Sequence, residues 1–277
     1  MNNNPSPING ATQVYGLLGR PVAHSLSPAM HNAAFREVGL NCVYVAFPVE
    51  DLAQGVAGLR GLGIKGASVT IPFKEEIIPL LDELDAPAAA MAAVNTVVKQ
   101  DGRLVGYNTD WLGALAALKP HTPIQGENFL VLGAGGAARA IVYALAKRGA
   151  GFAVTDVDSR RARMLAREFG GRALTPGELA GWPATGLINA TPVGMAPEVD
   201  ALPLDPALLD RFRVVMDIVY TPLKTRLLRE AEARGCKTVD GLQMLIHQGA
   251  AQFELWTGKP APLEVMARAA YGATKDG

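Results

Sequence analysis

Residues 128–157, NFLVLGAGGAARAIVYALAKRGAGFAVTDV, decide the fold class. NFLVLG (128–133) is an apolar run of strand length, AARAIVYALAKRG (137–149) reads as a helix stopped at Gly149, and GFAVTDV (151–157) is a second strand. Two strands joined through a helix run parallel, which places this segment in an α/β layer. Between the first strand and the helix, Gly133-x-Gly135-x-x-Ala138 in GAGGAARA (133–140) satisfies the dinucleotide fingerprint in its G/A form. Glycine permits a tight turn and lets backbone N–H groups approach a pyrophosphate, while the helix N-terminus adds a positive dipole. Loops rich in Gly and Ala also serve packing alone, but here the strand, helix and second strand are all in place. Asp156 closes the second strand, where an acid about 20 residues past the glycines meets the ribose 2′-hydroxyl. A carboxylate accepts hydrogen bonds from a free diol and repels a 2′-phosphate, so Asp156 taken alone favours NAD over NADP. Arg160 and Arg161 stand close by, able to clamp a phosphate or simply to form a solvated first turn.

Outward from this unit, GLINAT (186–191), VVMDIV (214–219) and KTVD (237–240) read as further strands. The first hundred residues repeat the alternation. VYGLLG (14–19), CVYVAFPV (42–49) and GASVTI (66–71) are strands, and SPAMHNAAFREVG (27–39), DLAQGVAGLRGL (51–62) and a stretch from 74 to 84 are helices. NTVVKQDGRLVGYNTD (95–110) reads as a hairpin turning at Asp101-Gly102. WLGALAAL (111–118) is an apolar helix broken by KPHTPIQG (119–126), and the last helices span 242–256 and 263–271. A chain of 277 residues is long for one core and fits two modest domains.

Lys+Arg and Asp+Glu both number 26, and no long basic run appears, which argues against a nucleic-acid binder. Cys42 and Cys236 lie far apart in no metal spacing and read as reduced, buried thiols. MNNNPSPINGATQ lacks the basic and apolar regions of a signal peptide and reads as a flexible tail. AAAMAAV (88–94) is far short of a membrane span. These features point to a small-molecule protein of the cytoplasm, without membrane or nucleic-acid partners.

Four other stretches carry chemistry. Lys74, after the strand of GASVTIPFKEE (66–76) and after Pro72, falls in the first turn of the expected helix, where a cation opposes the helix dipole. It suits a proton shuttle, or is a surface lysine followed by Glu75 and Glu76. Asp110 in GYNTDWLGAL (106–115) stands at a strand-to-helix junction, where Thr109 or Asp110 also suits a simple helix cap. Asn95 in AAVNTV (92–97), a poor strand former at a strand mouth, implies a polar partner. GRPVAHSLSPAMHN (19–32) concentrates two histidines, two serines and two prolines. His24 and His31 have no cysteine or carboxylate in ligand spacing, and no metal site is expected.

Taken together, GRPVAHSLSPAMHN, VTIPFK (69–74), AAVNT (92–96), GYNTD (106–110), GAGGAARA, NATPVGM (189–195), DIVYTPLKT (217–225) and DGLQMLIHQGAAQFELWTG (240–258) resemble the shikimate dehydrogenase family over nearly the whole length. The resemblance implies an α/β enzyme in two domains. An N-terminal substrate domain with a mostly parallel sheet (1–111, with 246–277 returning to it) would adjoin a Rossmann-like dinucleotide domain (112–245), with a cleft between them. It implies reversible reduction of 3-dehydroshikimate to shikimate with NADP or NAD, in aromatic amino-acid biosynthesis, by a monomer or homodimer. It also implies that Ser25 and Ser27 bind the substrate carboxylate and that Thr70, Asn95, Asp110 and Gln248 contact ring hydroxyls. Lys74 and Asp110 would form the catalytic pair, with Tyr220 near the bound ring. Gly133, Ala134, Gly135, Gly136 and Ala137 would cradle the pyrophosphate, and Ile218 and Gly241 would flank the nicotinamide.

Ser27 would then cap the helix opened by Pro28, making the serine loop a carboxylate clamp in which His24 and His31 brace the loop. Two departures from the family pattern stand out. Ser68 replaces the usual Asn before V-T-I-P-x-K, which is expected to loosen one supporting hydrogen bond. Asp156-Val157-Asp158 replaces the Asn-Arg-Thr of NADP-dependent members and resembles NAD-using relatives. The rival readings are an NAD-dependent quinate/shikimate dehydrogenase, against which Ser27 weighs, and a non-catalytic dinucleotide-responsive binding protein, against which the retention of Lys74 and Asp110 weighs.

Overall fold

The run read as a strand from Val14 is β1 (Gln13–Gly19), and in the computed structural model it lies between two parallel neighbours, β2 (Cys42–Pro48) and β3 (Gly66–Val69). Residues 8–274 are described. They form two compact units, Met1–Thr109 with Ile246–Gly277, and Asp110–Leu245. The division places Asp110 and Trp111 with the second unit, two residues earlier than the expected boundary.

In the first unit, α1 (Ser27–Glu37) and α2 (Leu52–Gly61) connect these parallel strands, and a short β4 (Glu83–Leu84) precedes α3 (Ala86–Met91). β5 (Thr96–Gln100) and β6 (Arg103–Tyr107) form the expected hairpin. Asp101 and Gly102 have φ of 49° and 80°, the paired left-handed residues of a type I′ turn. The sheet order β2-β1-β3-β5-β6-β4 is therefore parallel except around β5. Leu18, Ala67, Val69, Val97 and Leu104 from the strands join Val56, Leu59, Phe73 and Ile77 in one apolar core.

The helix expected over 74–84 is absent. Residues 71–77 form successive turns, followed by one 3-10 turn at Ile78–Leu80. Pro79 inside this stretch lacks the N–H that a continuing helix needs. Helix α1 begins at Ser27 itself, with Leu26 in the cap position, so Ser27 is not the N-cap. Instead the Ser25 Oγ accepts the Ser27 N–H at 3.3 Å, from outside the helix. Of the expected N-terminal tail, residues 1–7 lie outside the described residues. Residues 9–12 turn back, and Thr12 Oγ1 donates to Asn41 Oδ1 at 2.7 Å.

In the second unit, α4 (Asp110–Leu118) leads to β7 (Asn128–Leu132), α5 (Gly136–Lys147), β8 (Gly151–Thr155), α6 (Ser159–Phe169) and β9 (Arg172–Ala173). The chain then returns through β10 (Gly186–Asn189), β11 (Val214–Asp217), α7 (Arg226–Ala233) and β12 (Lys237–Val239). The six strands are all parallel in the order β12-β11-β10-β7-β8-β9. Numbered within the unit this is 3-2-1-4-5-6 reversed, the doubly wound dinucleotide-binding order, with its switch point between β7 and β10. Phe129 and Val131 face one apolar layer with Ile141, Leu145 and Leu165, and Leu130 and Leu132 face another with Leu209, Leu227 and Leu228. A sheet covered on both faces needs such unbroken apolar strands, which is why FLVL carries no alternation. Helix α8 (Gly241–Thr257) and α9 (Leu263–Ala273) end the chain, and α9 packs on α1. Among the described residues, no helix is long and apolar enough to cross a membrane.

Candidate active site

The glycine turn sits at the end of β7. The Gly133 N–H donates to Thr155 O at 2.7 Å, and its φ of +102° suits glycine alone. A Cβ on Gly133 would lie 2.9 Å from Ala190 O, so this residue lets β7 approach the loop after β10. Gly135 is the N-cap of α5, and a Cβ there would meet nothing within 4 Å. Gly135, Gly136 and Ala137 thus offer accessible backbone N–H groups at the start of a twelve-residue helix, the donor set that a dinucleotide's pyrophosphate needs.

Asp156 follows β8 and already serves the turn. Its Oδ2 accepts the Ala134 N–H at 2.7 Å, and its Oδ1 accepts the Asp158 N–H at 2.8 Å. Arg161 also reaches the turn, donating to Ala134 O at 3.3 Å. Each carboxylate oxygen keeps acceptor capacity for a ribose hydroxyl.

Past the ends of β11 and β12 the structure brings Ile218 and Gly241 together. A Cβ on Gly241 would lie 2.4 Å from Ile218 O, so only glycine fits there. The loop carrying Ile218 and Tyr220 is held by Asp217, a residue the sequence reading passed over. Asp217 is fully buried and accepts from Asn189 Nδ2 (2.9 Å), Val219 N (3.0 Å) and Thr225 Oγ1 (2.7 Å). Burial pushes its carboxyl pKa up to about 6, against three hydrogen bonds that favour the charged form. An acidic residue ending the apolar run VVMD was the available signal. Burial also raises the Tyr220 phenol, which therefore stays protonated and able to donate at neutral pH.

In the first unit the expected substrate residues Asn95 and Gln248 meet directly. Asn95 Nδ2 donates to Gln248 Oε1 at 3.2 Å and to Thr109 Oγ1 at 3.0 Å, while Asn95 Oδ1 accepts the Thr109 N–H at 2.7 Å. Asn108 Nδ2 donates to Ala93 O at 2.9 Å, so the GYNT strand end is pinned to the AAVNT segment immediately before Asp110. Asp110 itself is only 5% exposed and opens α4. The Lys74 carbonyl accepts the Val94 N–H at 2.8 Å, which holds the lysine turn one residue from Asn95. Thr70 is fixed at the end of β3 by its N–H to Leu18 O, 2.9 Å. Gly249, next to Gln248, admits α1, since a Cβ there would strike the Met30 methyl at 2.3 Å.

Ser68 does not loosen this framework. Its Oγ accepts from the Tyr44 hydroxyl at 2.6 Å and donates to Gln252 Oε1 at 2.7 Å, so a tyrosine from β2 engages the serine that replaces the asparagine. Tyr44 and Gln252 were not singled out from sequence, where both read as core or helix-face residues.

His31 does not brace the serine loop. It is completely buried on α1, stacked on Tyr44 with ring centroids 4.5 Å apart and an interplanar angle of 19°. Neither ring nitrogen has a hydrogen-bond partner, and burial pushes its pKa down to about 3. A histidine with an unfolded pKa near 6.5 binds more protons unfolded than folded between those values, so stability falls with pH below about 6.5. The expected loss is about 2 kcal/mol between pH 6.5 and pH 5. Asp217 acts with the opposite sign, because its folded pKa is raised, so its cost to stability grows as pH rises from 3.8 to about 6. His31→Phe isolates the first effect: its melting temperature should fall less than wild type between pH 7.5 and pH 5, and equal falls would refute this origin.

One unit with a doubly wound sheet and a phosphate-ready glycine turn, and another, mixed α/β unit with a buried set of amides and hydroxyls, define the class: a two-domain, dinucleotide-dependent oxidoreductase. Within that class the chain belongs to the shikimate dehydrogenase family. The shikimate dehydrogenase substrate binding domain matches residues 17–97, and the shikimate 5'-dehydrogenase C-terminal domain matches residues 241–271. The chain is 50% identical to a shikimate dehydrogenase (NADP(+)) of Pyrococcus abyssi over 259 residues, 92% of this chain and 96% of that one. The crystal structure of the Thermus thermophilus enzyme in complex with NADP(H) and shikimate superimposes with a TM-score of 0.88 at 42% identity, covering 95% of this chain and 100% of that one. The Listeria monocytogenes enzyme in complex with shikimate and NAD gives 0.88 at 36% identity, covering 96% and 99%.

Proposed function

We propose that this chain interconverts 3-dehydroshikimate and shikimate with a nicotinamide dinucleotide. Its 50% identity to a shikimate dehydrogenase along nearly all of both chains carries the reading, and the buried Asn95–Gln248–Thr109 group supports it. When bound, the nicotinamide supplies the hydride in one direction and takes it back in the other. The chain's own residues then have to hold a small polyhydroxylated acid and manage one proton. Ser25 and Ser27 take the carboxylate, while Thr70, Asn95, Gln248 and Asp110 take ring hydroxyls. Lys74 delivers the proton to the alkoxide oxygen formed on reduction and removes it on oxidation, with Asp110 as the second member of the acid–base pair. Gly133, Ala134, Gly135, Gly136 and Ala137 would hold the pyrophosphate, Ile218 and Gly241 the nicotinamide, and Tyr220 would border the substrate ring.

The names of several relatives specify NADP(+). One observation in this chain favours NAD: the Asp156 carboxylate stands at the end of β8, with the apolar, fully exposed Val157 after it. A 2′-phosphate would be placed against that negative charge, and like-charge juxtaposition of this kind is worth at least about a tenfold loss. Steady-state rates with NAD and NADP, each against shikimate and quinate, test the reading. The expected result is turnover of shikimate with kcat/KM for NAD exceeding that for NADP by about tenfold or more. A preference for NADP would overturn the role given to Asp156, a preference for quinate would overturn the substrate, and no turnover with any pair would favour a non-catalytic binding protein.

A further inference from the structure

A line of hydrogen bonds runs through the first unit from β2 to α8, and all its protons point one way. The Tyr44 hydroxyl donates to Ser68 Oγ (2.6 Å), and Ser68 donates to Gln252 Oε1 (2.7 Å). Gln252 Nε2 donates to the Asn95 carbonyl (3.1 Å) and to Thr96 Oγ1 (3.0 Å), and Thr96 donates to Asn95 Oδ1 (2.7 Å). Asn95 Nδ2 then donates to Gln248 Oε1 (3.2 Å).

The direction is set by groups that cannot reverse. The Asn95 carbonyl only accepts, so the amide nitrogen of Gln252 faces it and the oxygen of Gln252 faces Ser68. Ser68 must therefore donate to Gln252, which leaves its oxygen to accept from Tyr44. Thr109 N only donates, so Asn95 Oδ1 faces it and Asn95 Nδ2 faces Gln248. Tyr44, Ser68, Asn95, Gln248 and Gln252 are all buried, where a partner removed is not replaced by bulk water. The Tyr44 ring is held in place by its stack on His31.

We propose that Tyr44 and Ser68 are positioning residues for the substrate, holding through Gln252 the Asn95 main chain and the Thr96 hydroxyl on which the Asn95 side chain rests. The inference rests on the proposed shikimate activity. Neither Tyr44 nor Ser68 is placed in contact with reacting atoms, so their loss acts on substrate binding rather than on hydride or proton transfer. Ser68→Ala strands the Gln252 oxygen and removes the contact that ties Gln252, and with it Asn95 and Thr96, to β3. Tyr44→Phe keeps the ring stack and removes only the first donor of the line.

The test measures KM for shikimate, KM for the dinucleotide and kcat in Ser68→Ala, Tyr44→Phe, their double variant and Ser68→Asn. Each single variant is expected to raise KM for shikimate about fivefold, with the dinucleotide KM and kcat within about twofold of wild type. The double variant should be no worse than the poorer single, because both break the same line. Ser68→Asn, whose amide offers both an acceptor and a donor, should keep the shikimate KM closer to wild type than Ser68→Ala does. Unchanged shikimate KM in both single variants, equal shifts for shikimate and dinucleotide, or additive effects in the double variant would each overturn the positioning role. If Ser68→Ala does not fold, Tyr44→Phe carries the same expectation. Wild-type protein that neither turns over nor binds shikimate would remove the functional reading and the positioning role with it, whereas an active wild type with indifferent variants removes the positioning role alone.

Discussion

Lys74→Met is expected to lower kcat for shikimate oxidation by about a hundredfold to ten-thousandfold, the usual contribution of a positioned proton-transfer group. The turn that carries Lys74 is held by backbone bonds and by its apolar neighbours. Phe73 and Ile77 on either side are buried in the apolar core, the Ile77 N–H donates to Phe73 O at 3.0 Å, and the Lys74 carbonyl accepts from Val94. Methionine keeps the length and most of the volume of the side chain and removes the ammonium alone. Dinucleotide affinity and melting temperature should therefore match wild type, while the rate collapses. A variant that keeps kcat within about threefold would show that another group moves the proton. A variant that loses dinucleotide affinity or stability in parallel would show that Lys74 acts through the fold.

Gly133→Val is expected to produce the largest loss of stability, about 2–5 kcal/mol, together with loss of dinucleotide binding. Two causes add at this position. A φ of +102° is closed to a β-branched residue, and the new Cβ would lie 2.9 Å from the backbone oxygen of Ala190, which cannot swing aside as a flexible side chain would. The strain falls at the switch point of the sheet, so it would disturb β7 and the loop after β10 together. Gly135→Ala separates the two roles. Its Cβ would enter open space, so the fold should melt as wild type, yet the methyl would occupy the region the pyrophosphate needs and raise the dinucleotide KM. Gly133→Val melting like wild type, or Gly135→Ala binding the dinucleotide normally, would contradict this assignment of the turn.

The second unit was legible because its signals are local. An unbroken apolar strand, a glycine turn and a helix stopped by Gly149 recur in the structure as β7, α5 and β8; in the first unit an equally local signal, Asp101-Gly102, marks the β5–β6 hairpin with two left-handed residues. The 74–84 stretch was misread because KEEIIPLLDELD has helical composition, while Pro79 and the need to run into β4 prevent the ladder from forming. Helix α7 went unnoticed behind the DIVYTPLKT motif, although Thr225 caps it by accepting the Leu228 N–H. Within the candidate site, residues that would touch a ligand stood out as polar types in odd places, such as Asn95 at a strand mouth. Their supports did not. Tyr44 and Gln252 look like ordinary core and helix-face residues, and Ser68 reads in sequence as a weakened asparagine although a tyrosine from another strand meets it. Such pairings span 24 and 184 residues of sequence, and no local spacing reports them.

The central claim, hydride transfer between shikimate and a nicotinamide, is tested most directly with shikimate deuterated at the hydroxyl-bearing carbon that becomes the ketone. Wild-type protein incubated with this substrate and oxidised dinucleotide should yield reduced dinucleotide carrying one deuterium by mass spectrometry. Reduced dinucleotide without the label, or none formed at all with either NAD or NADP, would contradict the account.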